Sequence, residues 1–386
     1  MIPKLFDGVG VNNNYIMGSY IGPLKYCKKC QVKEERNGEY TLELETIVND
    51  PITSRLISQR VIQAKPNPHD PLQYFEVQST EKSIDGIIKA SAKHIRNFAF
   101  QFVSKGEQYF SDIVGSYTGT PAQIWNYLFN DGYIINYASA ASCPYSFSSD
   151  INTAKKITLG LNEPQLLGSI LGGKEGSMLD LFHGEYKYNN YNISYLNSRG
   201  QNTNYKIKYG KNISTAKQSE NCLMAYSHIM PYGVVAVENS IHQYYNLCAD
   251  LIEISNNECT SKKVYFLDCT DAVRDLKIDP SQSGQQSYVI ARAAMTSYAR
   301  QYAAANDIGK VNVSISVDVR SELDAMKSLA LCDTVKVELD TLGITTTGKI
   351  VSATYDSLLE RWDKLVVGTI PLSLSDIILD KRRYNL

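Results

Sequence analysis

The sequence predicts an α+β chain that is mainly β, and three stretches carry that prediction. Residues 30–51, CQVKEERNGEYTLELETIVNDP, alternate apolar and polar positions on both sides of Asn37-Gly38, the period-2 pattern of an antiparallel hairpin. Val311, Val313, Ile315, Val317 and Val319 alternate with Asn312, Ser314, Ser316, Asp318 and Arg320, the pattern of a half-buried strand. Residues 287–305, SYVIARAAMTSYARQYAAA, place Ile290, Ala294, Tyr298 and Tyr302 four apart in an alanine-rich run, which makes this the clearest helix in the chain.

The first hairpin is determined in detail by its phase. Cys30, Val32, Leu42 and Leu44 all fall at even numbers, and directly opposed residues of an antiparallel pair share a face. Val32 therefore faces Leu42 and Cys30 faces Leu44, leaving Arg36-Asn37-Gly38 as a three-residue loop with Gly38 in the left-handed position. A two-residue turn would oppose Val32 to Glu43 and scramble the faces. Further strands are expected at 58–63 and in a second hairpin, LQYFEVQSTEKSIDGIIKASA, turning near Asp85-Gly86, with the proline-rich AKPNPHDP as the loop before it.

Residues 96–225 read as mixed. GTPAQIWNYLFN starts a helix with Thr120 as N-cap, Pro121 first and Ile124 and Leu128 on one face. A short helix follows near Ser177–Phe182, capped by Ser177, and then Tyr-rich strands separated by Gly and Asn turns, expected to protrude from a barrel. After the helix at 287–305 and the strand at 311–319, the stretches CDTVKVEL, GKIVSATYD and DKLVVGTI form a second antiparallel set up to Ile370, with a last short helix at Leu374–Leu379.

Composition narrows the function. At 386 residues the chain exceeds the ~250–300 at which single cores stop growing, so more than one domain is expected. With 39 Lys+Arg against 40 Asp+Glu there is no overall electrostatic footprint for nucleic acid or anionic lipid. The opening MIPKLFDGVG lacks a basic region followed by an apolar one, and no run of ~18 apolar residues occurs, so a soluble, unexported chain without a membrane span is expected. Eight cysteines are sparse and most sit in apolar surroundings, as reduced thiols do. Tyrosine stands out, with 27 against 10 Phe and 2 Trp. Such rings suit half-buried assembly or sugar-contact surfaces, while a β-rich fold and codon bias account for them as well.

No motif carries chemistry. Cys27-Lys28-Lys29-Cys30 has neither a second pair for zinc nor a redox setting, and Cys30 serves the hairpin core. His69, His94, His183, His228 and His242 are scattered, with no two at ligand spacing. His183-Gly184-Glu185 is the most suggestive pair, though a turn between helix and strand explains it equally. LGGKEGS, with Lys174 before the final glycine, lacks the ending of a phosphate loop. There is no Gly-x-Ser-x-Gly elbow. No catalytic, cofactor or metal residue is assigned.

An ordered set of motifs nevertheless resembles a known family. MIPKLFDG is followed by a V-x-E-E-x-N-G-x-Y-x-L hairpin fitted by Val32, Glu34, Glu35, Asn37, Gly38, Tyr40 and Leu42. Gln73, Phe75 and Val77 follow, and then Gly86, Ile88, Ala90, Ala92 and His94. LGG, Gly184-Glu185, the paired Arg199-Gly200, YGKN, LCDTVKVE and KIVSATYDSLLERWDKLVVG complete the set over almost the whole chain. It resembles the siphophage tail-tip hub proteins, the tail-associated lysin or prophage endopeptidase tail family, similar to the hub of contractile-tail baseplates.

The resemblance implies two antiparallel β-barrels with inserted mixed α/β domains: residues 1–95 as the first barrel, 96–225 as the insertion and 226–386 as the second barrel region. It further implies a homotrimer of near-sixfold symmetry that closes the distal tail tube and opens for DNA ejection, a structural protein of the virion tail tip assembled in the bacterial cytoplasm. The implied partners are a hexameric distal tail protein ring, the tape measure protein and tail tube, and receptor-binding proteins, with DNA only as passing cargo and no cofactor. Because the chain ends at Leu386, soon after the second strand set, the family's peptidase activity is not expected to transfer. A wall-degrading endopeptidase using His183 and Glu185, and a sugar-binding module using Tyr186 to Tyr209, are the alternatives.

Overall fold

The computed structural model describes residues 1–8, 18–48, 51–104, 116–130, 134, 143–158, 165–173, 176–208, 213–221, 225–240, 243–255, 257–281, 284–306, 308–309, 312–319, 324–339 and 344–368. The expected helix at 374–379, His242, Lys174 and Tyr209 lie outside the described residues. Two compact units are present, one built from residues 1–217 with 315–368 and the other from 218–314.

The first unit holds the predicted hairpin, with strands Cys27–Glu35 and Tyr40–Ile47 paired at Val32↔Leu42 and Cys30↔Leu44 as the phase requires. The backbone bond from Glu35 N–H to Glu39 C=O, 2.8 Å, closes the three-residue loop. The left-handed residue differs from expectation: it is Asn37, φ 54°, and not Gly38. The cause is tertiary, because the Asn37 amide donates to Gly184 C=O at 3.0 Å and accepts the Tyr186 N–H at 2.9 Å, and Asn is among the residues that tolerate this conformation.

The second hairpin, Gln73–Lys82 with Ile87–His94, turns through Gly86 at φ 73°. The strand expected at 58–63 is Val61–Ala64. Thr120 and Gln123 form a reciprocal cap on helix Pro121–Asn130, and Ser177 caps Met178–Phe182. Ile124 and Leu128 are buried. Helices Arg96–Phe100 and Leu167–Leu171 carry no signal that sequence periodicity reveals, being five residues each.

The N-terminal and C-terminal strand sets join in one sheet. Cys27–Glu35 pairs antiparallel with Ile344–Asp356, from Glu35↔Ser352 to Gln31↔Asp356. Beyond it come Arg361–Gly368, Asn312–Val319 and Ile213–Asn221 on one side, and Tyr40–Ile47, Ile87–His94, Gln73–Lys82, Val61–Ala64, Lys4–Phe6 and Tyr20–Pro23 on the other. Asn202–Lys208 adds a parallel pair to Thr334–Leu339. One core packs the N-terminal strands against described side chains between Phe98 and Tyr195, and a second packs Ile207 with described side chains between Met326 and Val367. Tyr186, Tyr188 and Tyr195 of the Tyr-rich strands are buried within the first core.

In the second unit, strand His228–Val237 pairs antiparallel with Tyr244–Cys248 and Ile252–Glu253, and parallel with Val264–Asp268 and Lys277–Ile278. Helix Gln286–Ala305 buries Ala291, Met295, Ala299, Tyr302 and Ala303 in the core with Ile229, Val235 and Leu267. Ile290 lies 46% exposed. The most buried positions, Ala291, Met295, Ala299 and Ala303, are offset by one residue from the four-spaced set, of which Tyr302 is buried and Ala294 and Tyr298 pack against the core.

Candidate functional site

The residue pair singled out in the sequence is split by the structure. His183 caps the helix C-terminus in the left-handed region, φ 54°, and is exposed. Glu185 is 1% exposed, and its carboxylate accepts hydrogen bonds from Lys349 Nζ at 2.6 Å and from the Arg199 backbone N–H at 2.6 Å. Arg36 Nε adds an ion pair at 2.8 Å. Burial pushes the Glu185 carboxyl up, but Lys349, the Arg199 N–H and Arg36 outweigh it and hold it below the ordinary carboxylate range. A carboxylate so engaged is a structural anion and a poor general acid.

Cys27 and Cys30 are free thiols, and Cys30 is held well above the usual thiol range by its contact with Cys27 and by burial, which makes it unreactive. Three buried tyrosines, Tyr145, Tyr186 and Tyr195, are ties rather than binding faces. Tyr145 Oη donates to Ile95 C=O at 2.7 Å and Tyr186 Oη to Leu171 C=O at 2.8 Å. Tyr195 Oη donates to Met178 C=O at 3.1 Å and accepts the Gly184 N–H at 2.9 Å. Their rings, at most 4% exposed, offer no stacking surface for sugar. Among the described residues no three His, Cys, Asp or Glu side chains converge for a metal, and no helix is long and apolar enough to cross a membrane.

What the fold does assemble is a buried ionic junction around the loop Asn197–Gln201, which sequence reasoning noted only as an Arg-Gly pair. Glu34 lies on the core face of the first hairpin because the alternation that buries Cys30 and Val32 buries it too. Arg199 meets it through two nitrogens, Nη1 to Oε1 at 2.6 Å and Nη2 to Oε2 at 3.2 Å, with both side chains under a tenth exposed. Asp70, from the proline-rich loop, lies 3.8 Å from Arg199 and 2.9 Å from Lys187. Burial raises the Asp70 carboxyl, but Asn67, Lys187 and Arg199 bring it below its ordinary value.

The next residues continue the junction into the C-terminal strands. Gly200 packs on the Cys332–Asp333 backbone, Gln201 N–H donates to Asp333 Oδ1 at 2.8 Å and Thr334 N–H donates to Gln201 C=O at 2.9 Å. Burial pushes the Cys332 thiol up to about 12. The proline-rich loop adds reciprocal bonds between Lys65 and Ser357 Oγ, both 2.9 Å, and His69 Nε2 lies 3.3 Å from Leu329 C=O. Three carboxylates and four cations thus bind the hairpin, the Tyr-rich strands and the C-terminal set to one another.

This charge arrangement dictates an acid response. Asp70 and Glu185 are held below their unfolded values of about 4, so their contribution is complete above that pH and is lost as pH falls through the folded values. The urea midpoint is expected to drop steeply below about pH 4, and Lys349→Met is expected to flatten that drop by removing the strongest of the groups that hold Glu185 low. An unchanged slope in the variant would count against this account.

A second network surrounds His94. Gln73 Oε1 accepts from the Asn190 N–H at 2.7 Å and lies 3.0 Å from His94 Nε2, and the Gln73 amide donates to Pro71 C=O and Asn189 Oδ1, both at 3.0 Å. Arg96 lies 4.0 Å over the Tyr188 ring and donates to Gly38 C=O. His94 and Gln73 are the residues that the motif resemblance aligned, and their role is to join the N-terminal sheet to the Tyr-rich strands.

No protein-family model and no curated protein matches the chain by sequence. Solved structures do match it along nearly its whole length. The prophage tail protein gp18 from Listeria monocytogenes is similar with a TM-score of 0.58 at 14% identity, over 99% of this chain and 99% of that one. A tail protein from Neisseria meningitidis gives 0.55 at 9% identity over 95% and 96%. The 43 kDa tail protein of prophage MuSo2 from Shewanella oneidensis gives 0.52 at 9% over 96% and 98%. The chain therefore shares its overall fold with these tail proteins.

Proposed function

We propose that the chain is a structural hub of a phage, prophage or phage-like tail tip or baseplate, working as a homotrimer that closes the distal tail tube and opens for DNA ejection. The observation that carries this reading is the end-to-end likeness in fold to a prophage tail protein, 99% of each chain. The buried ionic junction supports it, because its ionisable side chains are committed to one another across strand sets, as suits a load-transmitting part rather than a reaction centre. The near balance of 39 basic and 40 acidic residues supports a conduit that does not grip passing DNA.

In this reading residues 1–95 hold the first barrel and the region 226–386 holds the second, with 96–225 inserted between them, and closure protects edges that a long amphipathic hairpin otherwise exposes. Three copies present six barrels to a hexameric distal tail ring, next to the tape measure protein, the tube and receptor-binding proteins, and the chain's own work is assembly rather than catalysis. Light scattering of the purified chain is expected to give three times the 43.2 kDa of one copy, and with its tail-ring neighbour a larger complex that contains three copies. A monomer under both conditions overturns the trimer, and gold label away from the tail tip in micrographs overturns the location.

A further inference from the structure

We propose that His94 is an acid-release pin, whose protonation frees the turn at Asn189–Asn190, and with it the Tyr-rich strands, from the N-terminal sheet. The imidazole is 1% exposed and both nitrogens are occupied. Nδ1 accepts the Arg96 backbone N–H at 3.2 Å, so it carries no proton, and Nε2–H donates to Gln73 Oε1 at 3.0 Å. The neutral ring is thus the species that the site accommodates.

Gln73 passes the constraint to the turn. Its oxygen, shared with His94, also receives the Asn190 N–H, while the Asn190 side chain accepts from Tyr74 N–H and donates to Leu72 C=O, both at 3.0 Å. Asn190 is held at φ 52°, the left-handed region, by these bonds. A second proton on His94 would set donor against donor at Arg96 N–H and place a cation beside the Arg96 guanidinium.

Among the described residues, none of the groups packed on the ring compensates such a charge. Tyr40 stacks on it at 4.4 Å and 9° from the first hairpin, Phe75 meets it edge-on from the adjacent strand and Tyr188 approaches at 6.4 Å from the Tyr-rich strands. Arg96, on the helix that follows, is the charge acting on it. The carboxylates whose charge acts on Tyr40, Glu34 and Asp70, are committed to Arg199 and Lys187.

Burial first, and then Arg96, hold the folded-state value well below the ordinary one. The sign follows: the unfolded chain takes up a proton below about pH 6.5 while the folded chain does not, so stability that is complete above that pH falls as acid is added, by up to about tenfold per pH unit. Local opening costs less than global unfolding, so the turn and its strands respond first.

Hydrogen exchange of the full chain tests this. Protection of residues 185–196, corrected for intrinsic rates, is expected to fall about fivefold between pH 6.5 and 5.5 in the wild type and to stay level in His94→Gln, which keeps an amide donor but does not titrate. No loss in the wild type, or an equal loss in the variant, overturns the proposal. Should His94→Gln fail to fold, imidazole NMR of the wild type decides: a His94 ring that stays neutral through this range supports the pin, and one that titrates near 6.5 overturns it.

Discussion

Gly200→Ala is expected to unfold the protein or to lower its stability by at least the ~3 kcal/mol at the top of ordinary overpacking. A Cβ at Gly200 would lie 1.9 Å from the Cys332 carbonyl oxygen, 2.0 Å from its carbon and 2.5 Å from Asp333 N, all of them backbone atoms. No side-chain rotation relieves such a contact. Cys332 cannot retreat either, since it sits at φ 74° with its N–H donating to Ile350 C=O at 2.8 Å, and Asp333 and Thr334 are tied to Gln201. Gly284→Ala is the control, because nothing lies within 4 Å of its Cβ position. That variant is expected to stay within about 0.5 kcal/mol of wild type. A wild-type urea midpoint for Gly200→Ala would show that the close approach is not a constraint.

Arg199→Met is expected to cost about 3–5 kcal/mol, the range seen when one member of a buried ion pair is removed. Glu34, its side chain 8% exposed, would keep its charge without the two guanidinium contacts, and Asp70 would lose one of its two cations. The loss measures the stranded anion more than the net value of the pair, so Glu34→Leu combined with Arg199→Met is expected to recover much of it. Urea midpoints of the two single variants and the double variant close the cycle. Additive losses would mean that the residues do not act as a pair.

These two variants mark the limit of what periodicity can say. The alternation of residues 30–44 placed Glu34 on the core face together with Cys30 and Val32, and the structure keeps it there. The same pattern is silent on the partner, which lies 165 positions away at Arg199. His183 and Glu185 looked like a pair because they are neighbours in sequence, yet Glu185 meets Lys349 and Arg36 while His183 caps a helix. The motif resemblance pointed to Arg199-Gly200 and His94 without a reason for them. The reasons are a backbone contact at Cys332 and a shared acceptor on Gln73. Tyrosine abundance was legible as a number, but whether the rings faced solvent or core depended on the carbonyls of Ile95, Leu171 and Met178, which sequence does not place.

By itself the sequence determined hairpin register, helix caps and the mainly β class, because side-chain direction repeats every two residues in a strand and caps are local hydrogen bonds. Tertiary structure alone decided that Asn37 takes the left-handed position and that N- and C-terminal strands share one sheet through Gln31–Glu35 and Ser352–Asp356. It also decided that Glu34, Asp70 and Glu185 are anchored as structural anions. The physical reason is that local pattern selects which face of an element is buried, while what that face meets depends on chain segments that are remote in sequence and are brought together only by the complete fold.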